Sequence, residues 1–283
     1  MPQQPSVSTT ILEHEISELR LLIERYAGVL LNCSNESLIP RVNEYIEARH
    51  YANSSEFLAQ LRQSESDIEP LLESLISAET GFGRHPVAFS VFTNTIIPDL
   101  CQRKHARSCR NLRVWSAGCA TGEEAYTIGI SICDSLNAQT GWTTHIVGSD
   151  IRRQALRVAE RGLYPQAAGT QFSRDTMQTY FSRVGDHLLV KSRLRSMVAF
   201  TAMNLAQPSY LGRYDCIFCM DVMSHFSSAQ RQALAQRLQL HLEPGGYLLL
   251  GDGEKLAVDS SLDSHKEGSC TYYRKPLAAA AGH

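Results

Sequence analysis

The sequence predicts an α/β protein in which a helical region precedes a doubly wound, mainly parallel β-sheet. Two patterns lead to this prediction. Apolar residues recur at helical spacing through the first 80 residues, whereas short apolar stretches alternate with helices after residue 110. One of those stretches, Tyr214–Cys219, is almost uninterrupted, as expected of a strand that is buried on both faces.

The elements follow from the same periodicities. Apolar stripes at 12–26, 38–46, 57–61 and 71–76 predict four helices that pack into a core. Beyond residue 110 we expect strands at 112–117, 145–148, 214–219 and 247–250, and helices at 123–137, 152–162 and 227–242. The last helix is expected to stop at Pro244-Gly245-Gly246, which breaks helices.

The composition is that of a protein with a large core. Hydrophobic residues make up 43% of the 283 residues, and the sequence contains neither a run of 18 apolar residues nor an amino-terminal signal. We therefore expect a cytoplasmic protein without insertion into a membrane and without a nucleic-acid partner.

Eight cysteines are present, and two of them, Cys216 and Cys219, form a C-x-x-C pair. A zinc site would need a second pair or nearby histidines. Because both cysteines lie in an apolar stretch, we interpret them as small residues of a buried strand and expect no metal site.

Ligands of open α/β sheets bind at the carboxyl ends of the strands. Four predicted strand ends carry candidate residues, namely Gly118 with Gly122, Asp150, Asn204 with Leu205, and Met220 with Asp221 and Val222. A glycine permits close approach of a ligand to the backbone, and a carboxylate at the second strand end can accept both hydroxyls of a ribose.

A nicotinamide dinucleotide is a poor match for the glycine loop. The spacing is G-x-x-x-G, and Glu123 and Glu124 follow where a pyrophosphate would sit on a helix N-terminus. Two carboxylates disfavour a phosphate there. They suit a ligand that bears a sulfonium and an ammonium group.

These residues resemble the CheR family, the chemotaxis receptor glutamate methyltransferases. The stretch from Val114 to Tyr126 is similar to the family's W-S-A-G-C-S-T-G-E-E-P-Y, and Glu79 to His85 is similar to its T-x-F-F-R-E segment. Further similarities follow in order at 149–164, 204–205, 214–219, 242–246 and 270–274. The Arg84-His85-Pro86 sequence is also found in pilus-associated paralogues of the family.

The resemblance implies a class I S-adenosylmethionine methyltransferase (Rossmann-like) sheet with a small inserted β-subdomain, preceded by an all-α domain. Domain boundaries are expected at 1–80 for the helical domain, 81–110 for a linker helix and 111–276 for the methyltransferase domain. The β-subdomain is expected at about 180–202, with strands at 188–190 and 198–200 after a turn near Gly185-Asp186.

The resemblance also implies a function and residue roles. The expected reaction is methyl transfer from S-adenosylmethionine, which leaves S-adenosylhomocysteine, to a glutamate carboxylate of a chemoreceptor or related signalling protein. Catalytic roles fall to Arg84 and His225. The expected cofactor-binding residues are Thr80, Arg84, Gly118, Glu123, Glu124, Asp150, Asn204, Leu205, Asp221 and Val222.

Departures from the family pattern concentrate on the acceptor side. Met220 replaces an arginine of the family pattern, Asp221 an asparagine, His225 a tyrosine and Gly83 a phenylalanine. Losing an arginine and gaining an aspartate makes binding of a carboxylate less favourable. The helical region departs too, because residues 1–80 carry a net charge of −8 against +6 for the remainder, whereas the family's helical domain is typically basic.

Three hypotheses follow from this combination. The first is a methyltransferase that acts on a protein carboxylate. The second keeps the enzyme class but changes the acceptor, with His225 as a general base. The third is a non-catalytic regulator that binds S-adenosylmethionine or S-adenosylhomocysteine and retains the fold as an interaction module.

Overall fold

A computed structural model of the chain describes residues 10–64, 67–76, 80–136, 141–209, 212–257 and 260–277. The described residues separate into two compact units. The first lies within residues 1–78 and also includes His225–Gln230, and the second lies within 79–224 and 231–283.

The first unit is helical, as its four apolar stripes predict. Its helices are α1 Glu13–Ala27, α2 Asn35–Ala48, α3 Ser54–Gln63 and α4 Ile68–Leu75. Side chains cap two of them: the Ser34 hydroxyl accepts from the Ser37 N–H, and the Asn53 side chain accepts from the Glu56 N–H. The predicted stripes form the buried faces, including Ile16, Leu19 and Ile23 of α1.

The second unit begins with a long helical segment made of α5 Pro86–Val91, a π-helical turn Phe92–Ile96 and α6 Ile97–His105. Strands and helices then alternate: β1 Asn111–Ala117, α7 Glu123–Leu136, β2 Thr143–Asp150, α8 Arg153–Arg161, β3 Leu163–Pro165, α9 Arg174–Tyr180, β4 Phe181–Val184, β5 His187–Val190, α10 Ser192–Arg195, β6 Val198–Ala202, β7 Tyr214–Cys219, α11 Ser228–His241, β8 Leu242–Leu250, β9 Asp263–Glu267 and β10 Cys270–Arg274.

Seven strands form one sheet in the order β6-β2-β1-β7-β8-β10-β9. The strands from β6 to β8 are parallel, whereas β10 runs antiparallel to both of its neighbours. The strand order reverses between β1 and β7, which is where such sheets bind ligands. This architecture confirms the predicted fold class, a class I methyltransferase sheet after a helical region.

The inserted β-subdomain differs from the predicted range of 180–202. Its three strands pair in the order β3-β5-β4, so it begins earlier, at Leu163, and ends at Val190. Val198–Ala202, expected in the subdomain, is β6 of the large sheet, where it pairs with β2 from Ile146 to Asp150. A short apolar strand has no local feature that says which sheet it joins.

The domain division at residues 80 and 110 stays a prediction, and the first of these boundaries adjoins 77–79, which lie outside the described residues. Among the helices described, none is both long and apolar enough to cross a membrane.

Candidate active site

The loop after β1 is shaped by Gly118. Its N–H and that of Cys119 both donate to the Ser149 carbonyl, at 2.8 and 2.9 Å, which ties the loop to the end of β2. Gly118 has a φ of +84°, and a Cβ placed on it would lie 2.5 Å from Cγ2 of Val222. A glycine is therefore required where β1 and β7 meet, and Gly118 and Val222 lie together as the sequence predicts.

Glu123 and Glu124 open α7 directly after this loop. Glu123 is buried and accepts from the Thr121 hydroxyl at 2.7 Å and from the Thr80 hydroxyl at 3.5 Å. Burial raises its pKa. The structure thus brings Thr80 to the glutamate pair.

Glu124 is half-buried, and its Oε1 accepts from the Ser116 hydroxyl at 2.6 Å. Burial raises the pKa of Glu124 to about 7, with a smaller contribution from the negative charge of Asp221, while the Ser116 hydrogen bond acts in the opposite direction. An approaching cation would reverse this shift, because an opposite charge favours the ionised carboxylate.

Asp150 ends β2 and is 7% exposed. Its Oδ2 accepts from the Ala120 N–H at 2.9 Å, and its Oδ1 accepts from the N–H and Nε of Arg152 at 2.9 and 3.1 Å. Because a carboxylate has about four acceptor positions, capacity remains for a ligand hydroxyl. Asp150 is thus held rigidly beside the glycine loop.

The segment after β6 lies at the same edge of the sheet. The N–H of Met203 donates to the Asp150 carbonyl at 2.9 Å, so Asn204 and Leu205 follow directly beside β2. Oδ1 of Asn204 accepts from the Ala206 N–H at 2.8 Å, and Leu205 is buried. Contact of these side chains with an adenine stays a prediction.

Asp221 follows β7 and is held in a left-handed conformation with a φ of +57°. Its Oδ2 lies 3.4 Å from a guanidinium nitrogen of Arg84 and 3.1 Å from Nε2 of His85. Two basic side chains therefore converge on the aspartate that distinguishes this chain from the family pattern. Sequence analysis missed His85, although the charge change at 221 was a signal that a new partner was needed.

Glu254 is a second residue that sequence analysis missed. Its Oε2 accepts from the N–H groups of Asp221 and Gly251 at 3.1 and 3.0 Å, and its Oε1 accepts from the Ser224 N–H at 2.9 Å. Burial raises its pKa, while these bonds oppose the shift. The carboxylate fixes the backbone around Asp221, a role that no local sequence pattern marks.

Met220 packs in the core of the second unit, and His225 belongs to the first unit. Met220 is 8% exposed and belongs to a hydrophobic core that includes Phe89 and Phe218. His225 is exposed and lies in the first unit, where its carbonyl accepts from the Leu30 N–H at 2.6 Å. A role for the His225 imidazole in the reaction stays a prediction.

Cys216 and Cys219 both lie on β7 with 0% exposure. Burial raises the pKa of both thiols well above their ordinary value. They are apolar packing residues of a central strand, as the nearly uninterrupted apolar stretch of the sequence indicates.

Comparison with known proteins identifies the family. Residues 78–272 match the family described as CheR methyltransferase, SAM binding domain, which covers more than half of the chain. The chain belongs to the CheR methyltransferase family. This confirms the predicted assignment to the S-adenosylmethionine-dependent methyltransferases of chemotaxis, with S-adenosylmethionine as the cofactor.

Curated relatives extend the similarity over most of the chain. Chemotaxis protein methyltransferase 1 of Pseudomonas aeruginosa is 30% identical over 246 residues, which cover 84% of this chain and 88% of that protein. Chemotaxis protein methyltransferase Cher2 of Pseudomonas putida is 30% identical over 260 residues, with coverages of 88% and 92%. The chemotaxis protein methyltransferase of Borreliella burgdorferi is 26% identical over 265 residues, with coverages of 91% and 94%.

The carboxylates of this CheR-family site fit S-adenosylmethionine. Asp150 offers carboxylate oxygens for a ribose, and Glu124 offers a carboxylate for an ammonium group. An ammonium group would favour the ionised form of Glu124, whereas the negative charge of a phosphate would disfavour it.

Proposed function

We propose that this CheR-family methyltransferase esterifies a glutamate side chain of a chemoreceptor or a related signalling protein. The observation that carries the proposal is Arg84. Its side chain is 40% exposed and lies beside the loop after β7, where Asp221 anchors it. A guanidinium recognises carboxylates by paired hydrogen bonds, so Arg84 is suited to orient an anionic acceptor.

The protein promotes the reaction by positioning the cofactor and the acceptor. S-adenosylmethionine supplies an electrophilic methyl group when it is bound. An acceptor carboxylate is already ionised near neutral pH, so no residue of the chain has to remove a proton. Thr80, Glu124 and Asp150 hold the cofactor, while Arg84 orients the acceptor, and exclusion of water favours a step in which opposite charges are neutralised.

A second candidate has one specific observation in its favour. The carboxylate of Asp221 already contacts Arg84 and His85, as an acceptor carboxylate would. A protein whose acceptor arginine is occupied by its own aspartate is suited to be a regulator that binds the cofactor without methyl transfer. A methyltransferase with another acceptor is the remaining alternative.

The partner and the location are part of the proposal. The relatives are named chemotaxis protein methyltransferases, which supports a chemosensory protein as acceptor. We also propose domain boundaries after residues 80 and 110. The proposed site of action is the cytoplasm.

The test is transfer of a radiolabelled methyl group from S-adenosylmethionine to proteins of a lysate. Counts that are released by mild base mark carboxyl esters. Arg84→Ala is expected to lower turnover 100-fold or more, because a positioning group is lost. Arg107→Ala, which changes an exposed arginine elsewhere in the second unit, is the matched control and should leave turnover unchanged.

His225→Tyr separates the alternatives. It should preserve or raise turnover if the acceptor is a carboxylate, because it restores the family residue. It should abolish turnover if His225 is a general base for a neutral acceptor, and the wild-type rate would then rise through a histidine-like pKa of about 6–7. Binding of the cofactor without transfer to any protein would favour the regulator.

A further inference from the structure

The positive charge of the chain is concentrated in one segment. Residues 151–195 contain nine basic and three acidic residues, a net charge of +6. That equals the whole positive excess of residues 81–283, whereas residues 1–80 carry a net charge of −8. The segment comprises α8, the three-stranded sheet, α9 and α10.

Three arginines of this segment form a ridge on α8. Arg153, Arg157 and Arg161 are all exposed and follow each other at intervals of four residues. Side chains at this spacing are neighbours about 6 Å apart, so the ridge is about 12 Å long. The opposite face of the helix, with Ala155, Leu156 and Ala159, is buried.

Part of the ridge is unfavourable for the helix that carries it, although the helix dipole favours Arg161 in the last turn. Like charges four residues apart destabilise a helix, and both the Arg153–Arg157 and Arg157–Arg161 pairs have this spacing. Arg153 is also a cation in the first turn, which has no acidic residue, so it opposes the helix dipole. Features that violate local stability rules are expected where a surface has a function.

The ridge begins at the cofactor site. Asp150 ends β2, Arg152 is paired with Asp150, and Arg153 is the first residue of α8. At the other end, the Arg195 side chain packs on Gly162, where a Cβ would lie 3.2 Å from its Cδ. The ridge therefore starts three residues after Asp150, which is a residue of the proposed cofactor site.

We propose that Arg153, Arg157 and Arg161 form a docking ridge for an acidic helix of the methyl-accepting protein. Carboxylates at every fourth position of such a helix repeat at the spacing of the arginines, so several pairs form at once. This partner assignment rests on the proposed function. It also accounts for recognition of an acidic protein by a chain whose first 80 residues are acidic.

The test compares two double variants with the same charge change. Arg157→Glu/Arg161→Glu reverses the ridge, and Arg107→Glu/Arg231→Glu reverses two exposed arginines elsewhere. The probe is a labelled synthetic helical peptide with glutamate at every fourth position, and its counterpart carries glutamine there. Anisotropy is measured at about 0.05 and 0.5 M salt, which separates screened from unscreened pairing.

The glutamate peptide should bind the wild type and the control variant alike, and the ridge variant at least about tenfold more weakly at low salt, with the difference reduced at high salt. Equal binding by the two variants, or at least tenfold tighter binding of a single-stranded oligonucleotide than of the peptide, would overturn the ridge. Calorimetry with S-adenosylmethionine checks that both variants retain the cofactor site.

The methyl-transfer assay distinguishes failure of the docking ridge from failure of the proposed carboxyl methylation. Base-labile labelling with an unchanged acceptor KM in the ridge variant would refute the ridge and leave the proposed function intact. Loss of peptide binding in the ridge variant, together with no labelling by the wild type, would support the ridge and refute carboxyl methylation.

Discussion

Glu124 combines a ligand role with an unusual ionisation. It opens α7, accepts from Ser116 and has a pKa raised to about 7 by burial. Near neutral pH the free protein is therefore a mixture of protonated and ionised Glu124. A bound ammonium group favours the ionised form, so binding of the cofactor should release protons in this range.

We expect the affinity for S-adenosylmethionine to rise with pH through about 7 and to be roughly tenfold weaker at pH 6 than at pH 8, because the proton on Glu124 must leave first. Isothermal titration calorimetry in buffers of different ionisation enthalpy measures both affinity and proton release. Glu124→Gln should weaken binding and flatten the pH dependence, whereas Glu160→Gln, on the exposed surface of α8, should change neither. Equal wild-type affinities at the two pH values would contradict this assignment.

Asp221 adds a negative charge on the acceptor side, where the family pattern has an asparagine. Asparagine tolerates its left-handed backbone, and the hydrogen bond from the residue 221 N–H to Glu254 does not need the side chain. Asp221→Asn therefore removes a charge near Arg84 with little change in shape.

Asp221→Asn is expected to lower the KM for an acidic acceptor about three- to tenfold at low salt, because Arg84 loses a competing carboxylate. Initial rates against acceptor concentration measure this. A double-mutant cycle gives the control: His85→Gln should cost about 0.5–1 kcal/mol of unfolding free energy with Asp221 and nearly nothing with Asn at this position. Equal costs in both backgrounds would show that the pair contributes nothing.

At the scale of elements, the β1–α7 loop depends on the contact between Gly118 and Val222. Gly118→Ala combines left-handed backbone strain with a collision, and we expect a loss of about 2–4 kcal/mol in unfolding free energy together with loss of cofactor binding. Urea unfolding and calorimetry measure the two effects.

Gly253 provides the matched control for this change. Its φ is +81°, against +84° for Gly118, but a Cβ there meets nothing within 4 Å. Gly253→Ala should therefore show only the strain, about 1 kcal/mol. Val222→Ala in the Gly118→Ala protein should recover part of the loss. If the two glycine variants were equally destabilised, the collision would not matter.

At the scale of the whole molecule, charge is divided between an acidic first part and a basic segment at 151–195. An acidic acceptor is repelled by the first and attracted by the second. Glu36, Glu44 and Glu47 of α2 are exposed and represent the acidic part.

Changing these three glutamates of α2 to glutamine should lower the acceptor KM several-fold at low salt, because long-range repulsion is reduced, and should leave kcat unchanged. The difference should vanish near 0.5 M salt, where the Debye length is only a few ångströms. Calorimetry with the cofactor verifies the site, and an unchanged KM at low salt would mean that the acceptor does not sense this charge.

The sequence by itself determined the helices of the first unit, the alternation of β1, α7, β2 and α8 and of β7, α11 and β8, and the loops that hold the candidate cofactor residues. Periodicity separates helix from strand locally, and the carboxyl ends of parallel strands meet at one edge. Gly118, Glu124 and Asp150 could therefore be assigned to one site before any contact was known.

Only the tertiary structure decided which distant residues meet. The pairing of His85 with Asp221, the bonds of Glu254 to the backbone at 221, and the addition of Val198–Ala202 to the large sheet are all contacts between segments far apart in the sequence. Likewise, only packing placed His225 with the first unit. Local periodicity shows which face of an element is buried, but it does not show which other element covers that face. The partner of a single polar residue cannot be predicted in this way, because one residue forms no periodic pattern.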